Sequence, residues 1–400
     1  MTIPQETATP HMRSFAIVLV CYNRIDGLKK LVASLERVDY DGRKDIELIF
    51  SIDNSGSGTV ADFASRYSWP HGHKTIRTFE KRQGLKQHIL QCGDYTNEFD
   101  VVVVLEDDIF VSDSMYHYAY QASDYYRDDD RIAGISLYSI QKNRLKWLLR
   151  FEPQRSVHDV YFLKMAQSWG QVWLKPKWLK FKEWLAGNEP FEKKESLPRV
   201  LNLWPDTSWL KYHDKYCIET GRYFVYPYCS LSTNFSNPGE HNRTPRNDFQ
   251  VELQYGKKQY SFVPFSDADV IYDEFMEREH LGRCLGIPDE ELTVDIWGTK
   301  PQVLYKRYLL TVDELPYRRV KAFSLSLRPA ELNVTAGSEG NDIILYDTQE
   351  REKGKRVNMD YVRYQYSMRT CDYRLLTKIA LKMSFRHLKA KMMPGLGKSK

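Results

Sequence analysis

Val101-Val102-Val103-Val104-Leu105, running directly into Glu106-Asp107-Asp108, is the stretch that decides the fold of this 400-residue chain. A continuous β-branched apolar run of this length suits a strand buried on both faces, as the strands of parallel sheets are. The same texture recurs on either side. Phe15 to Cys21 is a second such run, and behind it Leu28, Leu31, Val32 and Leu35 follow the spacing of an amphipathic helix. Ile46 to Ile52 predicts a strand that stops at the turn sequence Asp53-Asn54-Ser55-Gly56. Helices at 59–67, 84–93 and 114–127 and strands at 73–79 and 132–137 continue the alternation. Such a series predicts an α/β fold with a mostly parallel, Rossmann-like sheet flanked by helices.

That topology also locates a site, because ligands of open α/β sheets bind beyond the carboxyl ends of the strands. Three loops fall there: Tyr22-Asn23-Arg24, Asp53-Asn54 and Glu106-Asp107-Asp108. From 155 to 250 the chain turns aromatic, with helices predicted around Trp178–Leu185 and over Asp206–Thr220, and a strand over Tyr223–Leu231. Beyond 255, short strand-like runs such as Leu292–Trp297 and Ile343–Tyr346 alternate with polar loops. The expected division is a flexible start (1–13), a main domain (14–250), a less regular C-terminal α+β extension (251–370) and a basic tail (371–400). Within the main domain, 14–138 and 139–250 read as two halves.

Composition narrows the class. Hydrophobic residues make up 42% of the chain, enough for a sizeable core, and the net charge of +5 argues against a nucleic-acid partner. The six cysteines are widely spaced with no CxxC, so reduced core thiols are expected rather than a disulfide framework. Residues 1–13 lack the apolar stretch of a signal peptide and no run is long enough to span a bilayer, which predicts a cytoplasmic protein. From Arg374 to Lys400 there are eight Lys/Arg and no acid; Lys378, Lys382, Arg386 and Lys389 would share one helix face beside Leu375, Ile379 and Met383. Two readings stay open there: a solvated tail, or peripheral contact with the inner face of an anionic membrane.

The acids carry the chemistry. Three carboxylates at the end of a buried strand repel one another unless a cation or protonation offsets them. Mn²⁺ or Mg²⁺ would do so with one or two protein carboxylates, the other positions going to water and phosphate oxygens. Continued extended geometry would send Glu106 and Asp108 to one side and Asp107 to the other. The alternative, capping of the next helix, is weaker because Ser112, Asp113 and Ser114 lie nearer its start. Asp53 reads either as a contact to a nucleoside or as a turn residue. Arg82 and Lys86 flank Gly84 ahead of a helix, where backbone N–H groups favour phosphate.

Taken together, Cys21-Tyr22-Asn23-Arg24, Ile52-Asp53-Asn54 and the strand ending in Glu106-Asp107-Asp108 resemble the GT-A glycosyltransferases. The resemblance is to the N-acetylglucosaminyltransferase I-like branch and to bacterial polysaccharide-assembly members of the fold. It extends through Ser168-Trp169-Gly170-Gln171-Val172-Trp173, Trp204-Pro205-Asp206-Thr207-Ser208-Trp209 and the Asn234-to-His241 loop, and covers residues 14 to about 250. It implies an inverting, metal-dependent transferase using a UDP-sugar, N-acetylglucosamine or a related hexose, and a glycan or lipid-linked acceptor. It further implies that Asp108 is the direct metal ligand with Glu106 and Asp107 beside it, that Asp53 contacts the nucleoside, and that Asp206 is the base. The eukaryotic pattern has two adjacent acids where Asp206 stands alone, so an N-cap role for Asp206 is the alternative. His241 would reach the metal or a phosphate, and Trp169 with Gly170 would wall the sugar site; a surface histidine and core packing are the plainer readings. Two rival functions remain: a sugar nucleotidyltransferase, and a non-catalytic glycan-binding protein on the same fold.

Overall fold

The computed structural model describes residues 13–234, 249–369 and 372–392. In chain order its strands are β1 (Phe15–Cys21), β2 (Ile46–Ile52), β3 (Lys74–Thr78), β4 (Val101–Glu106), β5 (Ile109–Val111), β6 (Ile132–Ser136), β7 (Val160–Leu163), β8 (Gln171–Leu174), β9 (Tyr223–Pro227), β10 (Ser232–Asn234), β11 (Ile271–Tyr272), β12 (Leu292–Asp295), β13 (Tyr308–Thr311), β14 (Tyr317–Phe323) and β15 (Ile343–Arg351). One large sheet has the order β11-β7-β9-β6-β8-β4-β1-β2-β3, and β3, β2, β1 and β4 are all parallel.

The continuous apolar runs are explained by burial on both faces. Phe15, Ile17 and Leu19 of β1 enter one core while Ala16, Val18 and Val20 enter the other. The first core is covered by α1 (Ile25–Leu35), α2 (Thr59–Arg66) and, later in the chain, the helix Met115–Tyr125; the second by α3 (Leu85–Gly93). Naming Met115–Tyr125 α4, the aromatic region adds α5 (Lys175–Ala186), α6 (Arg199–Leu203) and α7 (Trp209–Thr220), which pack Trp178, Leu201 and Tyr212 onto the second core.

Three predicted elements differ in detail. β6 does not continue the parallel series beside β4, because β8 inserts between them and runs antiparallel to both. β9 ends at Pro227 rather than at 231, since proline has no N–H to extend a ladder, and the chain then turns so that β10 pairs with β5. The helix expected from Asp206 begins at Trp209, with Ser208 in the extended conformation of a cap and Pro205–Ser208 forming a turn ahead of it. The alternative of Asp206 as N-cap therefore does not apply.

The region after 290 builds its own four-stranded sheet, β12-β13-β15-β14, around Leu292, Leu310, Phe323 and Ile343. The helix Asp360–Met368 closes it with Arg363, whose guanidinium is fully buried. Arg363 pairs with Asp313 at 2.6 Å and donates its Nε–H to the Ile296 carbonyl at 2.7 Å. The helix Tyr373–Met392 keeps Leu375, Ile379, Leu381, Met383, Phe385 and Leu388 exposed.

One buried residue in α7 has a measurable consequence. His213 stacks on Phe181 at 4.1 Å between ring centroids and neither ring nitrogen finds a hydrogen-bond partner. Burial lowers its pKa from 6.5 to about 3. Below pH 6.5 the unfolded chain therefore takes up a proton that the folded chain refuses, and stability falls with acidification until the folded value is reached. His213→Phe removes that term and the unpaired polar ring. The variant's advantage over wild type in urea unfolding is expected to widen by about 2 kcal/mol between pH 7.5 and pH 5, at ~1.4 kcal/mol per pH unit below 6.5. An advantage that does not change with pH would mean that His213 finds a partner in solution.

Candidate active site

Because β1, β2, β3 and β4 are parallel, the loops that follow them meet at one edge of the sheet. Arg24, immediately ahead of α1, is the centre of that meeting. Its Nη1 lies 2.7 Å from Asp108 Oδ2, its Nη2 pairs with Asp107 Oδ1, and the Tyr22 N–H points at Asp107 Oδ2 from 3.4 Å. Burial by itself would lower the Arg24 pKa, but Asp107, Asp108 and Glu106 raise it overall, so the guanidinium stays charged. Burial pushes Asp107 up to about 6 despite Arg24, and burial together with the Asp108 charge pushes Glu106 up to about 8.

The expected alternation of the three acids fails. β4 ends at Glu106 and the chain turns before β5 starts at Ile109, so Asp107 and Asp108 both reach Arg24 instead of pointing to opposite sides. Among the described residues no three acidic, histidine or cysteine side chains converge as a metal cage. Asp108 Oδ1, however, is buried without a hydrogen-bond partner. An anionic oxygen left so is costly unless a cation completes it. The arrangement fits a divalent ion held by one or two carboxylates, the remainder of its shell coming from water and phosphate.

Asp53 is buried at the end of β2 and works as a staple. Its carboxylate accepts the N–H groups of Gln83 at 2.7 Å, Gly84 at 3.0 Å and Asn54 at 2.8 Å, tying the loop after β3 to the loop after β2. Gly84 has a φ of +75°, a backbone conformation that favours glycine, just before α3. The same loop sets the Arg82 guanidinium over the Tyr22 ring at 5.1 Å. Lys86, in the first turn of α3, pairs with Glu189 and lies over the Tyr212 ring. Asn23 is exposed beside them.

Trp169 and Gly170 arrive at the same edge because β8 is antiparallel to β4: Gln171 pairs with Val104, which sets Gly170 level with Leu105 and Trp169 level with Glu106, the last residue of β4. Trp169 is half-buried against Tyr138 and Phe249. Gly170 has a φ of +99°, and a Cβ there would lie 3.0 Å from Ser232 Oγ. The preceding segment is held by a buried pair, Arg144–Asp214 at 2.8 Å, both of which also bond the Ala166 backbone.

Asp206 is exposed and pairs with Lys211 at 3.0 Å, and that hydrogen bond lowers its pKa. The Lys86 charge acts in the same direction. His241 lies outside the described residues. The described chain stops at Asn234, which pairs with Ile109 one residue past Asp108, and resumes near Phe249 on Trp169.

The structure thus joins Tyr22, Arg24, Arg82, Asp107 and Asp108 directly, and Asp53 through the Gln83-Gly84 loop. Sequence reasoning missed Gln83, Glu189, Tyr138, Phe249 and the Arg144–Asp214 pair. Gln83 sits beside Gly84, the glycine ahead of a helix that the sequence did announce; the rest are partners chosen by tertiary packing.

Residues 16–184 match the family model described as Glycosyl transferase family 2. No curated protein sequence matches the chain. Among solved structures it is similar to the mannosyltransferase PcManGT from Pyrobaculum calidifontis, crystallised with GDP-Man and Mn²⁺ (13% identity, TM-score 0.34, covering 56% of this chain and 58% of that one). It is also similar to S. aureus TarS 1-349 in complex with UDP-GlcNAc (11%, 0.37, 57% and 60%). A third likeness is to GalNAc-T7 with UDP, GalNAc and Mn²⁺ (11%, 0.35, 57% and 45%). The chain therefore spans between 45% and 60% of the length of these three proteins.

Proposed function

We propose that this chain, whose residues 16–184 match the Glycosyl transferase family 2 model, is a glycosyltransferase that moves a hexose from a UDP-sugar to a hydroxyl of a glycan or lipid-linked acceptor, with inversion, in surface polysaccharide synthesis. N-acetylglucosamine or a close relative is the proposed sugar. The observation that carries the reading is the Asp107–Asp108 pair on Arg24, with the unpartnered Asp108 Oδ1, at the mouth formed by the loops after β1, β2 and β4. Asp108 is the proposed ligand of Mn²⁺ or Mg²⁺, with Glu106 and Asp107 beside it and His241 as a further candidate. When bound, the ion offsets the charge that builds on the departing diphosphate.

The chain's own residues supply the rest. Asp53 fixes the Gln83-Gly84 loop, so that Tyr22, Asn23 and Arg82 present a preformed surface to the nucleoside and Arg24 and Lys86 bring positive charge to the phosphates. Trp169 and Gly170 wall the sugar. Asp206, kept ionised by Lys211, takes the proton of the acceptor hydroxyl as that oxygen bonds to the anomeric carbon and the nucleoside diphosphate leaves with the bonding electrons. The pairing that keeps Asp206 ionised also lowers its basicity, which the approach of the acceptor hydroxyl has to offset. The nucleotidyl-transfer alternative lacks a phosphate loop to rest on, since Tyr22-Asn23-Arg24 leads straight into α1.

Calorimetric titration of UDP and UDP-sugars, with Mn²⁺ and with chelator, tests the donor site: binding is expected only with the ion. Asp206→Asn should keep that binding and lower kcat by about 10²–10⁴-fold. Binding indifferent to chelator would remove the metal, and an unchanged kcat would remove the base.

A cytoplasmic position at the inner membrane face is proposed from the helix Tyr373–Met392, which has no acid and exposes both cations and large apolar side chains. No described helix is long and apolar enough to cross a membrane. The full chain should float with vesicles containing phosphatidylglycerol, and a chain ending at residue 372 should not. Equal flotation of both would assign the contact elsewhere.

A further inference from the structure

We infer that a cleft farther along the carboxyl edge of the large sheet is a remote subsite for the acceptor glycan; this rests on the transferase reading above. The strand registers carry the argument. Val104 pairs with Gln171, Gln171 with Ser136, Ile135 with Val225, and Tyr226 with Tyr161. Two residues beyond that row, Glu106, Trp169, Tyr138, Tyr228 and Asp159 stand level along one edge. The Leu137 N–H to Gly170 carbonyl and Tyr228 N–H to Asp159 carbonyl bonds, each 3.0 Å, hold the row in place. Three strand spacings, from β4 across β8 and β6 to β9, separate Glu106 from Tyr228, which is ~14 Å.

At that end lies a cleft of about 220 Å³, lined by Arg155, His158, Asp159, Tyr228, Gln254 and Tyr260 among others. Arg155 is exposed and its guanidinium covers the Tyr228 ring at 4.8 Å. The Tyr260 hydroxyl, buried near Ser114, finds no hydrogen-bond partner of good geometry. A second groove of about 250 Å³ shares Arg155 and His158 and continues past Arg278. Flat polar side chains beside aromatic rings suit a pyranose, which offers hydroxyls at its rim and C–H groups on its face. The Asp159 carboxylate in the wall is paired with Lys257 at 2.6 Å and accepts the Ser261 N–H at 2.7 Å, so it adds no free charge to the cleft. The distance to Glu106 is too great for the sugar that reacts. The cleft therefore reads an acceptor unit further along the same glycan, with half-buried Trp169 between the two ends.

The probes are monosaccharides and longer linear oligosaccharides of glucose, mannose, galactose and N-acetylglucosamine, followed by saturation-transfer NMR and titration on the full chain. At least one oligosaccharide is expected to bind better than its monosaccharide. Arg155→Ala/His158→Ala should weaken that binding about tenfold or more while UDP binding with Mn²⁺ is unchanged. Cys229→Trp, at an exposed residue lining the cleft, should block the oligosaccharide by filling the space. If nothing on the panel binds, or the oligosaccharide that binds ignores both variants, the subsite is overturned. If an oligosaccharide binds in the cleft but UDP with Mn²⁺ does not bind, the donor reading falls and the glycan site stands.

Discussion

Asp108→Asn is expected to lower kcat/KM for sugar transfer by about a thousandfold, some 4 kcal/mol of transition-state stabilisation, while the thermal midpoint stays close to wild type. The effect is large because Asp108 combines a charge with a buried Oδ1 that no protein group completes. It is specific because asparagine has the same shape and can still meet the Arg24 guanidinium with its amide oxygen. Stability is spared for a second reason. Arg24 retains Asp107, and one fewer carboxylate relieves Glu106, whose pKa is raised partly by the Asp108 charge. Steady-state kinetics with the donor and calorimetry with UDP and Mn²⁺ check the prediction together. A variant that keeps near wild-type kcat/KM would take Asp108 out of the machinery.

The second large effect is on stability. Arg363→Met should destabilise the chain by about 3–5 kcal/mol, because it strands the Asp313 carboxylate in the C-terminal sheet without its buried partner. The lost Nε–H bond to the Ile296 carbonyl adds to the damage. Arg356 reaches Asp313 at 3.4 Å but is itself largely exposed, so it replaces little of the interaction. Asp313→Asn in the same background should recover part of the loss, since it removes the stranded charge. Chemical denaturation of the single and double variants against wild type reads this directly. If the single variant unfolds at the wild-type midpoint, the pair contributes nothing to the fold.

What could be read from sequence follows from what each feature asks of its neighbours. β1 and β4 were legible because burial on both faces forces an unbroken apolar run, and the acids were legible because three charges after such a run need an explanation. β8 was not placed, since four residues carry no usable period and its direction is decided by the strands on either side. The split geometry of the acids was misjudged because the turn after Glu106 is chosen by Arg24, a residue more than 80 positions away. Asp53 stood out at a strand end, but its partners are backbone N–H groups of the loop after β3, which any residue can supply and no pattern announces. The Lys211 pairing of Asp206 spans a turn and the start of a helix, so no fixed helical spacing announces it.

The insertion of β8 also governs how the chain can be made. β4 and β6 are both finished early, yet the neighbour they share is missing until Gln171–Leu174 has left the ribosome. Until then β4 has β1 on one side and an open edge, apolar from Val101 to Leu105, on the other, a ready template for pairing with a second nascent chain. Long-range closure of this kind slows folding and lengthens that exposure. A fragment cut after the first five strands of the large sheet would keep the edge open permanently. Expression of that fragment by itself is therefore a route to inclusion bodies, and the chain should be divided, if at all, beyond Tyr272, where β11 completes the sheet.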